Sequence, residues 1–94
     1  MKLIGREDLE SFKNRHGEVR IPCESWEQEV LHATWTTPQD IKDRYSSASF
    51  LPHNRVIFNI KGPKYRIGTM VHFPTMTVFV EWALTHAEYS KKFR

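Results

Sequence analysis

Three stretches in the second half of the chain alternate apolar and polar side chains, and this period of two limits the fold more than any other feature. In Arg55–Ile60, Val56, Phe58 and Ile60 alternate with Arg55, Ile57 and Asn59. In Lys64–Phe73, Tyr65, Ile67, Thr69, Val71 and Phe73 fall on one side, and Arg66, Gly68, Met70 and His72 on the other. In Thr77–Leu84, Val78, Val80, Trp82 and Leu84 share a side. Successive strand residues point to opposite faces, so each stretch reads as a strand with one face on a core. The turn-like Lys61-Gly62-Pro63-Lys64 and Pro74-Thr75-Met76 join them into an antiparallel meander.

The first half reads differently. Lys2–Ile4 fits a short strand. Arg6–Arg15 fits a helix with Leu9, Phe12 and His16 on one side and Gly17 as its stop. Pro22–Thr34 fits a second helix, with Pro22 in a first turn that needs no backbone donor. Cys23, Trp26, Val30 and Ala33 make its apolar face, leaving Glu24, Glu27 and Glu29 as a solvated acidic face. Thr37-Pro38-Gln39-Asp40 starts a short third helix, whose Ile41 and Tyr45 face the core. Ser46–Asn54 reads as a loop, and Thr85–Arg94 as a turn of helix capped by Thr85. Helices followed by strands define an α+β domain, an antiparallel sheet with the N-terminal helices packed on one face.

The chain of 94 residues is expected to be one domain, residues 1–94. A domain this small buries only roughly 60–65% of its unfolded surface. A shallow site for a polymer therefore fits better than a deep small-molecule cavity. A single cysteine, Cys23, excludes an internal disulfide and reads as a buried thiol. No metal-ligand spacing is present, so neither a metal nor another cofactor is expected. No apolar run approaches a membrane span, and the start has no signal-peptide pattern, which points to the cytoplasm. Charge is unevenly divided. Residues 1–50 hold seven Lys/Arg and nine Asp/Glu, a net of −2, while residues 51–94 hold seven and two, a net of +5. A positive C-terminal half suits a phosphate-rich partner.

The meander places several polar residues where chemistry on a phosphate is feasible. Asn59 and Arg66 lie on neighbouring strands, both out of phase with the apolar residues, and Lys61 and Lys64 flank the turn between those strands. His86 and Tyr89, three apart, share a face if their segment is helical. Lys91, Lys92 and Arg94 complete a basic end. RNA can be cut without a metal when the ribose 2′-hydroxyl is the nucleophile. The enzyme must then accept its proton, stabilise charge on the phosphate oxygens and protonate the leaving 5′-oxygen. Histidine can donate or accept near neutrality, arginine can clamp phosphate oxygens, and tyrosine can stack on a base or donate. Other candidates read as structural: Tyr65 as core, His72 as surface, and His16, His32 and His53 as residues without partners.

Arg55-Val56-Ile57-Phe58-Asn59-Ile60-Lys61-Gly62, preceded by Asn54, then Lys64-Tyr65-Arg66 and Thr85-His86-Ala87-Glu88-Tyr89, resemble the signature of the HigB toxins. Trp35, Thr37-Pro38, Asp40-Ile41-Lys42 and Tyr45 resemble a second segment of that family. The resemblance spans nearly the whole chain and implies a RelE/ParE-like fold. It implies messenger-RNA cleavage, on ribosome-bound transcripts, leaving a 2′,3′-cyclic phosphate and a 5′-hydroxyl. The implied partner is a HigA-like helix-turn-helix antitoxin, through which alone the chain would meet operator DNA; no membrane is involved. In this frame Arg66, His86, Tyr89 and Lys64 are the catalytic candidates, and Asn59, Lys61, Lys91, Lys92 and Arg94 bind RNA. Pro63 and Ser90 depart from the family pattern, where Asn and Asp are usual. Pro63 removes a backbone donor from the turn and Ser90 removes an acid beside Tyr89. Two other classes of function compete: a ParE-like toxin that binds a protein target without cutting, and a plain RNA-binding module. The joint presence of Arg66, His86 and Tyr89 favours the nuclease.

Overall fold

The alternation in the second half becomes three neighbouring strands in the computed structural model, which describes residues 1–93. In chain order the elements are β1 (Lys2–Ile4), α1 (Arg6–Arg15), a 3-10 turn (Gly17–Val19), α2 (Arg20–His32), α3 (Pro38–Arg44), β2 (Ser49–Leu51), β3 (Arg55–Ile60), β4 (Tyr65–His72), β5 (Thr77–Thr85) and α4 (His86–Lys92). The strands form one sheet in the order β1-β5-β4-β3-β2. The β3-β4-β5 meander is antiparallel as expected, but β1 runs parallel to β5, so the sheet is mixed. Ser46–Asn54 is not wholly a loop: Ser49–Leu51 pairs with β3 as an edge strand. Its three exposed residues lack the buried face that makes a strand legible from pattern.

The core lies between one face of the sheet and the first three helices. Leu9, Phe12, Cys23, Trp26, Val30 and Ile41 are buried against Val56, Phe58, Ile67, Val71 and Val78. Phe58 is the hub: Trp26 and Tyr45 meet it edge-on, each at 5.2 Å between ring centroids, and Trp35 stacks on it at 6.1 Å. Edge-to-face and offset pairs suit the ring quadrupoles, so this cluster adds orientation to the area it buries. Helix α3 starts on the expected capping box, in which Thr37 accepts from the Asp40 backbone and Asp40 accepts from that of Thr37. Gly5 sits at φ 89 where β1 gives way to α1, and a Cβ there would stand 2.5 Å from the Val80 carbonyl oxygen. No other residue suits both the left-handed backbone and that approach.

The acidic residues of α2 differ from their expected role. Glu24 is exposed, but Glu27 is buried, because Lys13 and Arg6 reach it at 2.9 and 3.3 Å. Burial disfavours the Lys13 ammonium, yet the hydrogen bond and charge of Glu27 outweigh it and raise its pKa. Glu29 accepts from the Tyr45 hydroxyl and the Arg44 guanidinium. Cys23 is buried as expected; burial, and next the Glu27 carboxylate, push its thiol up to about 11.

Strand β5 carries the one irregularity that shapes the other face. Its pairing with β4 steps from Gly68↔Trp82 to Thr69↔Val80, leaving Glu81 as an extra residue. Such a bulge reverses the side on which later side chains emerge. Val78, Val80 and Ala83 therefore face the core, while Trp82 and Leu84 lie beside Gly68 and Arg66 on the opposite face. The expected single side for Val78, Val80, Trp82 and Leu84 is thus corrected. The indole of Trp82 occupies the space a Gly68 side chain would need, with a Cβ falling 2.1 Å from the ring.

Candidate active site

The face of the sheet turned away from α1 and α2 collects most of the candidates. Asn59 and Arg66 sit directly opposite each other on β3 and β4. The Asn59 amide donates to the Ser47 carbonyl at 2.8 Å, while its Oδ1 is buried with no partner. Arg66 is half-buried, and its Nε is likewise buried without an acceptor. Its guanidinium carbon lies 4.4 Å from the centroid of the Tyr89 ring. That stacking holds the planar group in place while leaving its donors available, an arrangement suited to a phosphate.

Tyr89 reaches Arg66 because α4 begins where β5 ends. Thr85 accepts from the Glu88 backbone, and Glu88 accepts from the Thr85 backbone at 2.9 Å, a complete capping box. The Thr85 N–H, first among several favourable contacts, holds the Glu88 carboxyl below its ordinary value. One turn into the helix, Tyr89 packs on Trp82 and Phe93 with centroids 5.6 and 4.9 Å apart. His86 is the exposed first residue of α4, and its backbone N–H donates to the Lys64 carbonyl at 2.8 Å. That bond ties His86 to the end of the β3–β4 turn, so Lys64, Arg66, His86 and Tyr89 belong to one end of the sheet. Lys61 and Lys64 are exposed in that turn, with Lys61 at φ 55. Lys91 and Lys92 are exposed on the last turn of α4, and Arg94 lies outside the described residues. Among the described residues, Lys61, Lys64, Arg66, Lys91 and Lys92 have no carboxylate within 4.0 Å, whereas Arg6, Lys13, Arg20, Arg44 and Arg55 all do.

Several participants were not visible in the pattern. Strict alternation puts Trp82 on the core side with Val78 and Val80, and the bulge at Glu81 turns it to the opposite face. Phe93 carried no signal, lying next to the chain's last basic residue. His16, which the sequence leaves without a partner, lies tilted beside the Phe12 and Tyr65 rings and approaches Glu88 with Nε2 at 3.6 Å. Glu18, sixteen residues before Thr34 in a different element, accepts from the Tyr65 hydroxyl, which lowers the Glu18 carboxyl and raises the Tyr65 phenol.

A mixed five-stranded sheet with helices over one face and a short helix closing the end of the other is a RelE-like α+β architecture. The chain belongs to the HigB toxin family, described as the RelE-like toxic component of a toxin–antitoxin system, whose model matches residues 19–92. The match runs from the 3-10 turn through α4 and leaves β1 and α1 outside it. No curated protein is significantly similar to the chain. Membership makes the protein a toxin whose counterpart is an antitoxin. Among the described residues, no helix is long and apolar enough to cross a membrane.

Proposed function

We propose that this toxin is an endoribonuclease that cuts messenger RNA, on translating ribosomes in the cytoplasm, by attack of the ribose 2′-hydroxyl. The single observation that carries the reading is Arg66: a half-buried guanidinium with a buried, unpartnered Nε, stacked on Tyr89 and opposite Asn59. In this reading Arg66 binds the scissile phosphate and stabilises the charge that grows on its oxygens. His86 is the general acid or base. The 2′-oxygen bonds to phosphorus as its proton passes to a base, and the phosphorus–5′-oxygen bond breaks as that oxygen takes a proton. The products are a 2′,3′-cyclic phosphate and a 5′-hydroxyl. Tyr89 orients the proton or the base, Lys64 adds positive charge, and Asn59 positions the substrate. Lys61, Lys91, Lys92 and Arg94 hold the strand electrostatically.

The antitoxin in this reading is a HigA-like helix-turn-helix protein encoded beside the toxin, and the complex binds operator DNA through the antitoxin. Two measurements test the proposal. Expressed alone the chain should arrest bacterial growth, and co-expression of the neighbouring helix-turn-helix protein should restore it. Purified chain added to translating ribosomes should produce new messenger ends carrying a cyclic phosphate. Growth arrest without any new RNA ends would favour a toxin acting on a protein target and would end the ribonuclease reading.

A further inference from the structure

Beside Arg66 the sheet face holds a recess of about 280 Å³. Leu51, Ile57, Trp82, Tyr89, Lys92 and Phe93 line it, and an ion pair between Arg55 Nε and Glu81 Oε1, 3.3 Å apart, lies at its rim. We infer that this recess is a base-binding subsite, taking one unstacked nucleobase of the RNA substrate; the inference rests on the ribonuclease reading above.

Four features carry it. The lining holds an aromatic cluster: the Trp82, Tyr89 and Phe93 rings lie within 4.9–5.6 Å of one another at interplanar angles of 39–42°. Single-stranded RNA is held by stacking its splayed bases on such rings. The volume falls just below the roughly 300–1,000 Å³ of pockets for drug-sized ligands, which suits a single ring system. The recess and the phosphate site share a wall, because Tyr89 lines the former and stacks under the Arg66 guanidinium. Gly68, opposite Trp82, lies two strand residues from Arg66 on the same face, about 7 Å. A phosphate held by Arg66 thus leaves its neighbouring base at the recess mouth.

The fourth feature is the rim. Arg55 presents donors and Glu81 an acceptor, so together they can read the edge of a base that rings alone cannot distinguish. Both side chains are substantially exposed, and an exposed ion pair holds its members weakly. They can therefore turn to a base edge at little cost. The bulge at Glu81 serves both parts, placing that carboxylate at the rim and turning Trp82 into the recess.

The test uses the full chain and short RNA oligonucleotides whose 2′-hydroxyls are methylated, so that they bind without being cut. Nuclear magnetic resonance follows the Trp82 indole N–H alongside the Arg66 guanidinium signals. Oligonucleotides should shift both, and one abasic position should leave the Trp82 signal in place. Phe93→Ala, at an exposed ring, should weaken binding roughly ten-fold. Leu51→Trp, on the exposed edge strand, should block the recess and abolish the Trp82 response. Glu81→Gln should change the base preference at one position when the messenger ends produced on translating ribosomes are sequenced. An Arg66 shift without a Trp82 shift, or an unchanged base profile in Glu81→Gln, would overturn the subsite and leave the ribonuclease reading intact. A Trp82 shift that needs the base, in a chain that cuts no RNA, would support the subsite and overturn the ribonuclease reading. If the oligonucleotides shift neither signal, the subsite falls, and the ribonuclease reading is decided by new messenger ends on translating ribosomes.

Discussion

Arg66 carries a guanidinium into a half-buried position without the carboxylate that usually compensates it, since among the described residues none lies within 4.0 Å of it. Its nearest support is the Tyr89 ring at 4.4 Å. A charge kept in this way is poorly satisfied until an anion arrives. Arg66→Ala should lower the cleavage rate roughly 10²–10³-fold, the cost of losing a preorganised charge stabiliser. His86→Ala should lower it about 10²–10⁴-fold, as expected for a positioned acid–base group. Both substitutions should leave antitoxin binding and thermal stability unchanged, and His72→Ala should stay toxic. Growth arrest together with end mapping measures all three; full toxicity of His86→Ala would move proton transfer to Lys64 and Tyr89. The contrasting residue is Glu27, buried and shared by Lys13 and Arg6. Glu27→Ala removes the buried partner of Lys13 and leaves its ammonium only the exposed Glu10 and Glu24 carboxylates, at 3.4 and 3.5 Å, so the cost should reach at most the roughly 3 kcal/mol of a broken buried pair. Denaturant unfolding should show that loss while Arg66 chemistry per folded molecule is retained. The two residues separate what holds the fold from what acts on substrate.

At the scale of elements, α4 is the part whose stability and function are coupled. It spans seven residues and buries none of them, so its capping box and the Tyr89–Trp82 contact hold it. Thr85→Ala should cost about 1 kcal/mol and should act locally on the helix that presents His86 and Tyr89. Acid should do the same. The folded Glu88 carboxyl is held below its ordinary value, so its contribution is fully present above the unfolded pKa and is lost as pH falls through the folded one. Tyr89 and Trp82 fluorescence should therefore change in acid before the core unfolds, and Glu88→Gln should remove that early step. If helix loss and core unfolding coincide at every pH, α4 is not an independent unit. The Thr85 cap was legible because it is a local signal that needs no tertiary information, and Glu88, three residues on, completes the box in the structure. The meander was legible for a like reason, its period of two being local. The bulge at Glu81 was not, because an extra residue leaves no mark when both adjoining segments still alternate. The edge strand Ser49–Leu51 was hidden because its pairing to β3 is long-range and none of its side chains is buried. For the same reason the site was only half visible: Asn59, Arg66, His86 and Tyr89 follow from register and spacing, while Trp82 needed the bulge.

Across the whole molecule, charge is sorted by partner. Several cations of the helical side are paired internally, Arg6 and Lys13 with Glu27, Arg20 with Glu10 and Glu24, and Arg44 with Glu29. Those around the β3–β4 turn and α4 are exposed, and among the described residues Lys61, Lys64, Lys91 and Lys92 have no carboxylate within 4.0 Å. These four lysines therefore present their charge outward, unpaired among the described residues, within a half of the chain whose net charge is +5. A polyanion bound there displaces its condensed counterions, so affinity for single-stranded RNA should fall as salt rises, with a slope near −0.7 per phosphate contacted. Replacing Lys91 and Lys92 by Ala should flatten that slope by up to about 1.4, two contacts at that rate. The same change should affect the chemical step at saturating RNA far less than Arg66→Ala does, because these exposed lysines add charge to binding while Arg66 is the guanidinium held against Tyr89 and opposite Asn59. Titrating a methylated RNA against the chain and the double variant from low to physiological salt measures the slope directly. An affinity that ignores salt, or an identical slope in the double variant, would mean that this end of α4 faces the antitoxin or solvent instead of RNA.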